Sequence, residues 1–352
     1  MMRKCSTKFF KYAEGPVQMK GDGRTLSSSS LSLTTMSAGR MKVHCLSGYI
    51  SNLYLCEYPD LKRMLLLDTG MGRDVDRVEF FINNVLHPDT TSSSTASADS
   101  TPKKKPFDTQ LKTVVSTHCH VDHMGAAWGY RERGIPVAVA DRYEEYFKGI
   151  GGKTQQGIEA VLATFVAHRL GRKVEYPFCP LSVPEGAELD PRLRLKDGSH
   201  VPGFEDWVAV ACPGHTCHMN MLFHPESHIL YAADFFVANN KQKKEFRAPV
   251  PIDVDYAYTH SLERLRNLSV RYVLLAHGGI IDCQEAGGWE AILDDVASHR
   301  NSQENDNWTM RLIRNTLTGY TSEPSTFDRS RLPSLPLPKA ADQPAHISRS
   351  KL

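Results

Sequence analysis

The sequence THCHVDH at residues 117–123 constrains the fold of this chain more than any other feature, because it directly follows the apolar segment 111–115. Four side chains that commonly bind metals lie within six consecutive residues: His118, His120, Asp122 and His123. The apolar run predicts a buried strand, and a tight turn after it can direct the first two histidines to one metal ion and the last two residues to a second. The segment therefore predicts a metal site at the end of a strand.

Three later segments of the chain supply further ligands in a similar setting. Each is a short apolar run that ends in one His or Asp beside a glycine or a loop, where a strand end can present a side chain. The segments are PGHT at 213–216, LYAAD at 230–234 and LLAHGG at 274–279, and they contain His215, Asp234 and His277. Two ions need about seven or eight protein ligands, so these residues complete a site for two metals.

The order and spacing of these residues resemble the metallo-β-lactamase superfamily, whose signature His-X-His-X-Asp-His is matched at residues 118–123. The resemblance covers roughly residues 41–300 and implies an α/β fold, a four-layer αβ/βα sandwich with a dinuclear metal site on one edge. It implies that the first metal is bound by His118, His120 and His215, the second by Asp122, His123 and His277, and both by a bridging Asp234. The segment MLLLDTG at 64–70 is similar to an early strand of the family, and its Asp68 is implied to support the ligands without binding a metal.

The chemistry that such a site performs is hydrolysis. Two divalent cations held close together can share one water, lower its pKa and deliver hydroxide to an electrophile. The chain is therefore expected to be a metal-dependent hydrolase that uses a metal-bound hydroxide on a small ester or thioester, with Asp122 as metal ligand and catalytic residue. Histidine ligands and one bridging carboxylate suit zinc best, with iron or manganese as alternatives. Two other functions stay open: a phosphodiesterase or nuclease of the same superfamily, and a metal-binding member without catalysis.

A basic loop after Asp234 is the candidate for substrate binding. It contains Lys241, Lys243, Lys244 and Arg247. These cations can hold an anionic group, such as the carboxylates of a glutathione thioester or the phosphates of a coenzyme A ester; alternatively, they only form a solvated face. A small-molecule substrate fits the net charge of +2, which is too small to argue for nucleic acid or a membrane surface. The chain after residue 289 is too short and polar for the helical C-terminal domain of glyoxalase II.

Two cysteines lie beside the presumed ligands. Cys119 lies inside the His-X-His motif, and Cys217 lies two residues after His215. Thiolate is a good zinc ligand, so Cys217 or the adjacent His218 is an alternative ligand. The resemblance favours packing roles for both cysteines. Family members commonly have Pro-Gly after the Gly-His-Thr motif, and this chain departs from that pattern.

Composition divides the chain into one catalytic domain and appended segments. Residues 1–40 are basic and rich in serine and are expected to be a disordered extension, followed by a catalytic domain over 41–320 and a disordered tail over 321–352. Residues 87–106, rich in Ser, Thr and Lys, form a low-complexity insertion within the domain. Hydrophobic residues make up 41% of the chain, which is enough for one large core.

Hydrophobic periodicity places strands and helices in both halves of the domain. We expect two or three strands within residues 42–67, further strands at 135–139, 207–211, 219–223, 229–233 and 272–276, and helices at 75–86, 125–132, 155–170, 255–268 and 289–299. The helix over 155–170 carries one apolar stripe, formed by Ile158, Val161, Leu162, Phe165 and Val166.

The last three residues, Ser350-Lys351-Leu352, match the tripeptide that the peroxisomal import receptor reads at a carboxyl terminus. We therefore expect a peroxisome or a related organelle, with that receptor as a partner. The basic first 40 residues make a mitochondrion an alternative, although Gly15-Pro16 interrupts an amphipathic helix there, and the cytosol is the other alternative. Eight cysteines without zinc-ribbon spacing are typical of free thiols in a reducing compartment. No apolar stretch reaches the roughly 18 residues that a membrane span needs.

Overall fold

The structure, a computed structural model, describes residues 33–88, 105–147, 149–171, 190–238, 245–249, 252–303 and 329–334. The strands are β1 (Leu33–Ala38), β2 (Met41–Ser47), β3 (Asn52–Tyr58), β4 (Arg63–Leu67), β5 (Leu111–Ser116), β6 (Val137–Ala140), β7 (Arg194–Leu195), β8 (His200–Val201), β9 (Phe204–Ala211), β10 (Asn220–His224), β11 (Ile229–Ala233), β12 (Val237–Ala238), β13 (Phe246–Arg247), β14 (Tyr272–Leu275) and β15 (Gly279–Asp282). The α-helices are α1 (Asp74–Phe80), α2 (Pro106–Gln110), α3 (Val121–Met124), α4 (Ala127–Glu132), α5 (Gly149–Arg169), α6 (Asp255–Leu265) and α7 (Trp289–Gln303). A π-helical turn, Phe81–Leu86, continues α1, and short 3₁₀ turns lie at Pro59–Leu61, Tyr143–Phe147, Pro191–Leu193 and Arg329–Arg331.

Most of the strands belong to two sheets. In the first sheet β1 to β7 lie in sequence order. Their pairing is antiparallel from β1 to β4 and parallel from β4 to β7. In the second sheet the order is β15-β14-β11-β10-β9-β8, and β11 is parallel to β14. Parallel neighbours need a crossover connection, which is why α1 to α5 separate strands of the first sheet and α6 separates β11 from β14.

The two sheets pack face to face, with helices on their outer faces. Leu65 of the first sheet and Trp207 of the second belong to one buried cluster, which also contains Leu262 of α6. Leu66 points to the opposite face because side chains alternate along a strand, and it belongs to a second cluster with Tyr130 of α4. The layers therefore run helix, sheet, sheet, helix, which confirms the expected four-layer αβ/βα sandwich.

The carboxyl ends of the ligand-bearing strands meet along one edge of this sandwich. In the first sheet β4 and β5 are parallel, and in the second β9, β11 and β14 run in one direction because β10 is antiparallel to both of its neighbours. Backbone hydrogen bonds join the two sheets at this edge, from Asn220 N to Thr117 O at 3.0 Å and from Asn52 N to Ala276 O at 2.8 Å. Every segment that carries a predicted ligand begins at this edge.

The folded domain begins earlier than residue 41, the expected start of the catalytic domain. Residues 33–38 form β1 instead of a disordered extension, in register with β2 through pairs such as Met36 with Val43. Met36 is fully buried and Ala38 is nearly so. The strand was not predicted because its polar residues leave no clear apolar alternation in the sequence. One face of such a strand can meet solvent. Residues 1–32 lie outside the described part of the chain.

The expected insertion over 87–106 is shorter at its carboxyl end. Pro106 begins α2, in the first-turn position that suits proline. Phe107 is fully buried, and its N–H donates to Asn83 Oδ1 at 3.1 Å. Residues 89–104 lie outside the described residues.

Part of the expected disordered tail packs against the domain. The guanidinium of Arg329 lies 4.8 Å from the ring centroid of Tyr256 on α6. His260 Nε2 of the same helix donates to the carbonyl of Pro333 at 2.8 Å. These contacts fix residues 329–334 on α6, and neither is visible in composition. The terminal tripeptide lies outside the described residues.

Helix α5 faces the domain with its small side chains. Ala160 and Ala167 are buried in a cluster with Val121 of α3. Four of the five side chains of the predicted apolar stripe are exposed instead, among them Val161 at 56% and Phe165 at 58%, while Ile158 is half-buried. The helix itself was expected, but periodicity alone does not say which face packs. Within the described residues, no helix combines the length and apolar character that a membrane crossing needs.

Candidate metal centre

The turn after β5 delivers four predicted ligands. Thr117 N donates to Asp68 Oδ1 at 2.8 Å, which fixes the chain directly after the strand. His120 occupies the N-cap position of α3 with extended backbone geometry. Asp122 and His123 lie within that helix, so the motif changes direction between its second and third ligands. This change separates the four side chains into two groups.

The loop that carries His215 is clamped against α6. Gly214 has φ of +149°, and a Cβ there would lie 2.5 Å from Tyr258 Cα, so a side chain does not fit. The Gly214 carbonyl accepts from the N–H groups of Asp253 and Val254 at 2.8 and 2.9 Å. Ser261 Oγ donates to the Pro213 carbonyl at 2.8 Å. The helix therefore determines where His215 lies.

Asp234 and His277 follow neighbouring parallel strands. The register between β11 and β14 shifts near the end of β11, and Ala233 has φ of +46°, an unusual value for a residue with a side chain. This turn directs Asp234 to the edge where the carboxyl ends of the strands of both sheets meet. After His277, Gly278 has φ of +148°, and a Cβ there would lie 2.9 Å from Leu275 Cδ1.

The structure brings all seven predicted ligands together in two clusters that share Asp234. In each cluster the ligand atoms lie within 4.8 Å of one another; the first contains His118, His120, His215 and Asp234, and the second contains Asp122, His123, Asp234 and His277. In the first, His120 Nδ1 lies 3.1 Å from His118 Nε2 and 3.0 Å from His215 Nε2.

The first cluster fits a metal ion through its convergent neutral imidazoles. Burial lowers the pKa of His118 well below its ordinary value and also lowers the pKa of His120. Both rings are therefore neutral at neutral pH and carry a lone pair, as a metal ligand must. His215 is nearly fully buried beside them. Three imidazole nitrogens and a carboxylate oxygen form a donor set typical of zinc.

The second cluster combines two carboxylates with two histidines. Burial opposes ionisation of Asp122 and Asp234, but the neighbouring His123 and His277 hold both pKa values well below the ordinary range. Burial likewise opposes charge on His277, but the two aspartates raise its pKa to about 10. His123 Nε2 and Asp234 Oδ1 are buried and lie 3.2 Å apart, and neither atom makes a well-directed hydrogen bond within the described residues. A cation that displaces the histidine protons satisfies these atoms, so this donor set also fits a metal.

Asp68 lies behind the second cluster and belongs to neither group of ligands. Its Oδ2 accepts from His123 Nδ1 at 2.5 Å. This contact leaves His123 Nε2 directed at the cluster. Asp68 also accepts hydrogen bonds from Thr117 and from Tyr231. Tyr231 is not among the predicted site residues, although it lies inside the LYAAD segment, where a polar hydroxyl in a buried strand is the available signal.

The alternative ligands lie outside both clusters. Cys119 is buried, and burial raises the pKa of its thiol well above the ordinary value, so it stays protonated at neutral pH. Cys217 and His218 belong to neither group. His218 Nε2 lies 3.5 Å from Glu145 Oε2 instead.

The basic loop is described only at its end. Lys241, Lys243 and Lys244 lie outside the described residues. Arg247 pairs with Glu245, with Nε 2.9 Å from Oε1, and its side chain is 45% exposed. Arg247 is therefore paired with a carboxylate two residues before it, and its role in substrate binding stays a prediction.

A family model of the metallo-beta-lactamase superfamily matches residues 47–277, and the chain belongs to this superfamily. The probable metallo-hydrolase YflN of Bacillus subtilis (strain 168) is 24% identical in an alignment of 257 residues that covers 67% of this chain and 83% of that protein. YqjP, a probable metallo-hydrolase of the same organism, is 24% identical in an alignment of 189 residues that covers 50% of this chain and 57% of that protein. Among solved structures, the metallo-beta-lactamase family protein TTHA1429 from Thermus thermophilus is 17% identical, with 80% of this chain and 81% of that chain covered and a TM-score of 0.46.

Proposed function

We propose that this chain is a dinuclear metal-dependent hydrolase that cleaves a small ester or thioester. The observation that carries the proposal is the membership of Asp234 in both donor clusters, which offers one carboxylate to two ions. Divalent cations in such a site supply Lewis acidity and a water with a pKa near neutrality. Zinc suits the donors best, with iron or manganese as alternatives.

Asp122 is the proposed catalytic residue. Its Oδ2 lies 3.4 Å from His123 Nε2 and 3.5 Å from His277 Nε2. The low pKa of the carboxyl keeps it ionised at neutral pH. Ser51 Oγ donates to the Asp122 carbonyl at 2.8 Å and fixes its backbone. An ionised carboxylate held in this way can accept a hydrogen bond from the attacking water and orient it.

Substrate is proposed to reach the centre past the partly exposed ligands, which are His120 of the first cluster and Asp122 and His277 of the second. The His277 side chain is 32% exposed, whereas the side chains of His123 and His215 are 0% and 2% exposed. The superfamily and the relatives named as probable metallo-hydrolases support hydrolysis, and the ester or thioester is the substrate class that we propose within it.

A substrate screen with purified, zinc-loaded protein tests the proposal. The panel contains neutral nitrophenyl esters, glutathione and coenzyme A thioesters, and a nitrophenyl phosphodiester, each with and without a chelator. We expect turnover of an ester or thioester that a chelator removes and added zinc restores. Preferred cleavage of the phosphodiester would favour the nuclease class. Absence of turnover in protein that holds two zinc ions would identify a metal-binding member without catalysis.

A further inference from the structure

The carboxylate of Asp68 accepts hydrogen bonds from three residues. Thr117 holds Oδ1 through its backbone N–H at 2.8 Å and its hydroxyl at 2.9 Å. His123 Nδ1 and the hydroxyl of Tyr231 both donate to Oδ2. Asp68 follows β4 of the first sheet and Tyr231 lies in β11 of the second, so the last of these bonds crosses the interior between the sheets. The side chains involved are fully buried.

The two oxygens of Asp68 are held in different ways. A carboxylate that accepts from Nδ1–H fixes the tautomer and the orientation of an imidazole, and so directs its Nε2 at a metal. The carboxylate can orient His123 only when its own plane is fixed. Thr117 fixes Oδ1, and Tyr231 is the donor outside the ligand motif that fixes Oδ2. Without the Tyr231 hydroxyl, Oδ2 keeps the His123 ring that it has to orient and a longer contact of 3.1 Å to the Thr117 hydroxyl, which lies closer to Oδ1.

We propose that Tyr231 is a positioning residue for the second metal: its hydroxyl fixes Asp68, and through Asp68 it holds His123 in the orientation that binds the ion. The inference rests on the proposed dinuclear centre. Among the contacts of the described residues, Asp68 reaches the first cluster through Thr117, whose hydroxyl lies 3.1 Å from His118 Nδ1 and whose backbone N–H holds Asp68 Oδ1 independently of Tyr231. Loss of the Tyr231 hydroxyl therefore weakens the second site selectively.

The neighbourhood of Tyr231 fixes the position of its hydroxyl. Its ring packs against Tyr54 with centroids 5.4 Å apart. Tyr54, from the first sheet, donates to the carbonyl of Leu275 at 2.7 Å, two residues before His277. Tyr231 therefore supports His123 through Asp68, and Tyr54 supports the segment that carries His277 through the Leu275 carbonyl. A buried aromatic ring with a restrained hydroxyl is a rigid support, as precise ligand orientation requires.

The alternative is that the bond from Tyr231 to Asp68 only stabilises the packing of the two sheets. That role lowers the stability of the metal-free protein and leaves the ratio of the two metal affinities unchanged. A positioning role changes the ratio. The two affinities of Tyr231→Phe therefore separate the two explanations.

The experiment titrates metal-free Tyr231→Phe and wild type with zinc against a competing chelator. Outer partners of metal ligands typically contribute 10–100-fold in affinity. We expect the affinity of one of the two binding steps to weaken about tenfold in the variant, because Asp68 keeps its bonds from Thr117, while the other step keeps its wild-type affinity. Cobalt absorption spectra provide a second readout, because they identify the weakened site by its donors, two histidines and two carboxylates instead of three histidines and one carboxylate. Tyr130→Phe is the matched control, because the buried Tyr130 hydroxyl has no hydrogen-bond partner among the described residues.

Each outcome decides between the explanations. Unchanged affinities in Tyr231→Phe, or equal weakening of both steps, would overturn the inference. A wild type that binds only one ion would instead overturn the dinuclear proposal, and the two failures are thus distinguishable. Tyr231→Met, whose flexible side chain adapts to a core gap, is the second variant without a hydroxyl. If neither variant folds without metal, the hydrogen bond from Tyr231 to Asp68 stabilises the core, and the inference is wrong.

Discussion

Asp234 Oδ1 lies 3.2 Å from His123 Nε2, while the other oxygen of the same carboxylate lies 3.7 Å from His215 Nε2. One side chain thus faces a histidine of each cluster. The position of Asp234 follows from the turn at Ala233, which directs the end of β11 between the sheets. The two clusters are therefore coupled through a single carboxylate.

This coupling predicts different metal contents for two alanine variants. His118→Ala should lower the zinc content by one ion per chain, because the second cluster keeps its four residues. Asp234→Ala should reduce both sites, because the shared carboxylate balances the charge of two cations. Elemental analysis of protein purified with zinc measures the contents. Retention of two ions in Asp234→Ala would exclude a bridging role.

Asp122→Asn should abolish most of the hydrolysis without unfolding the protein. The amide keeps the shape of the side chain but loses the charge that binds metal and orients water. Loss of one such transition-state contact costs about 3–4 kcal/mol, a decrease in kcat of several hundredfold or more. Steady-state kinetics measure this decrease. Asp294→Asn, on the exposed face of α7, is the matched control with wild-type turnover, and near-normal turnover in Asp122→Asn would mean that the nucleophile is oriented elsewhere.

Gly214→Ala should destabilise the His215 loop. The new methyl group meets the backbone of Tyr258 at 2.5 Å, at a φ that alanine rarely adopts. We expect a loss of about 3 kcal/mol in the free energy of unfolding. Gly157→Ala is the control, because nothing lies within 4 Å of its Cβ position in α5, and alanine there should be neutral or stabilising by about 1 kcal/mol. Denaturant unfolding of the metal-free proteins gives both values, and equal stabilities would contradict the proposed clamp.

Glu57 should contribute stability that acid removes. Its hydrogen bond from His44 Nε2, at 3.0 Å, lowers the carboxyl pKa from its ordinary value of 4.5. A depressed folded-state pKa gives stability that is present above pH 4.5 and is lost as the pH falls through the folded value. Glu57→Gln should therefore cost about 1–3 kcal/mol at neutral pH and less in acid.

Unfolding with a chelator present, at neutral and acid pH, measures the effect without a contribution from metal. Glu132→Gln, a matched change at an exposed position, should stay within about 0.5 kcal/mol of wild type at both values. A constant difference between Glu57→Gln and wild type across the pH range would contradict the assignment.

The sequence allowed the ligands and the fold class to be predicted because both depend on local patterns. The run at 117–123 sets four ligands by spacing, and His215, Asp234 and His277 each follow an apolar strand. Parallel strands then bring these ends to one edge of the sandwich. The structure places the seven residues in two clusters, as this reasoning expected.

The features that could not be predicted depend on contacts between distant segments. The bond from Tyr231 to Asp68 requires the two sheets to face each other in one register, which no local pattern specifies. The apolar stripe of α5 could be read from the sequence. Which face of the helix packs, however, depends on the close fit of Ala160 and Ala167 against the domain. The docking of residues 329–334 likewise depends on Tyr256 and His260 in another element.

A zinc titration of the metal-free wild-type protein, with binding and hydrolysis of the best ester or thioester followed together, tests the dinuclear centre most directly. We expect the protein to bind two zinc ions per chain and turnover to reach its maximum only when the second is bound. Saturation of binding and turnover at one ion, or full turnover without metal, would contradict a dinuclear hydrolase.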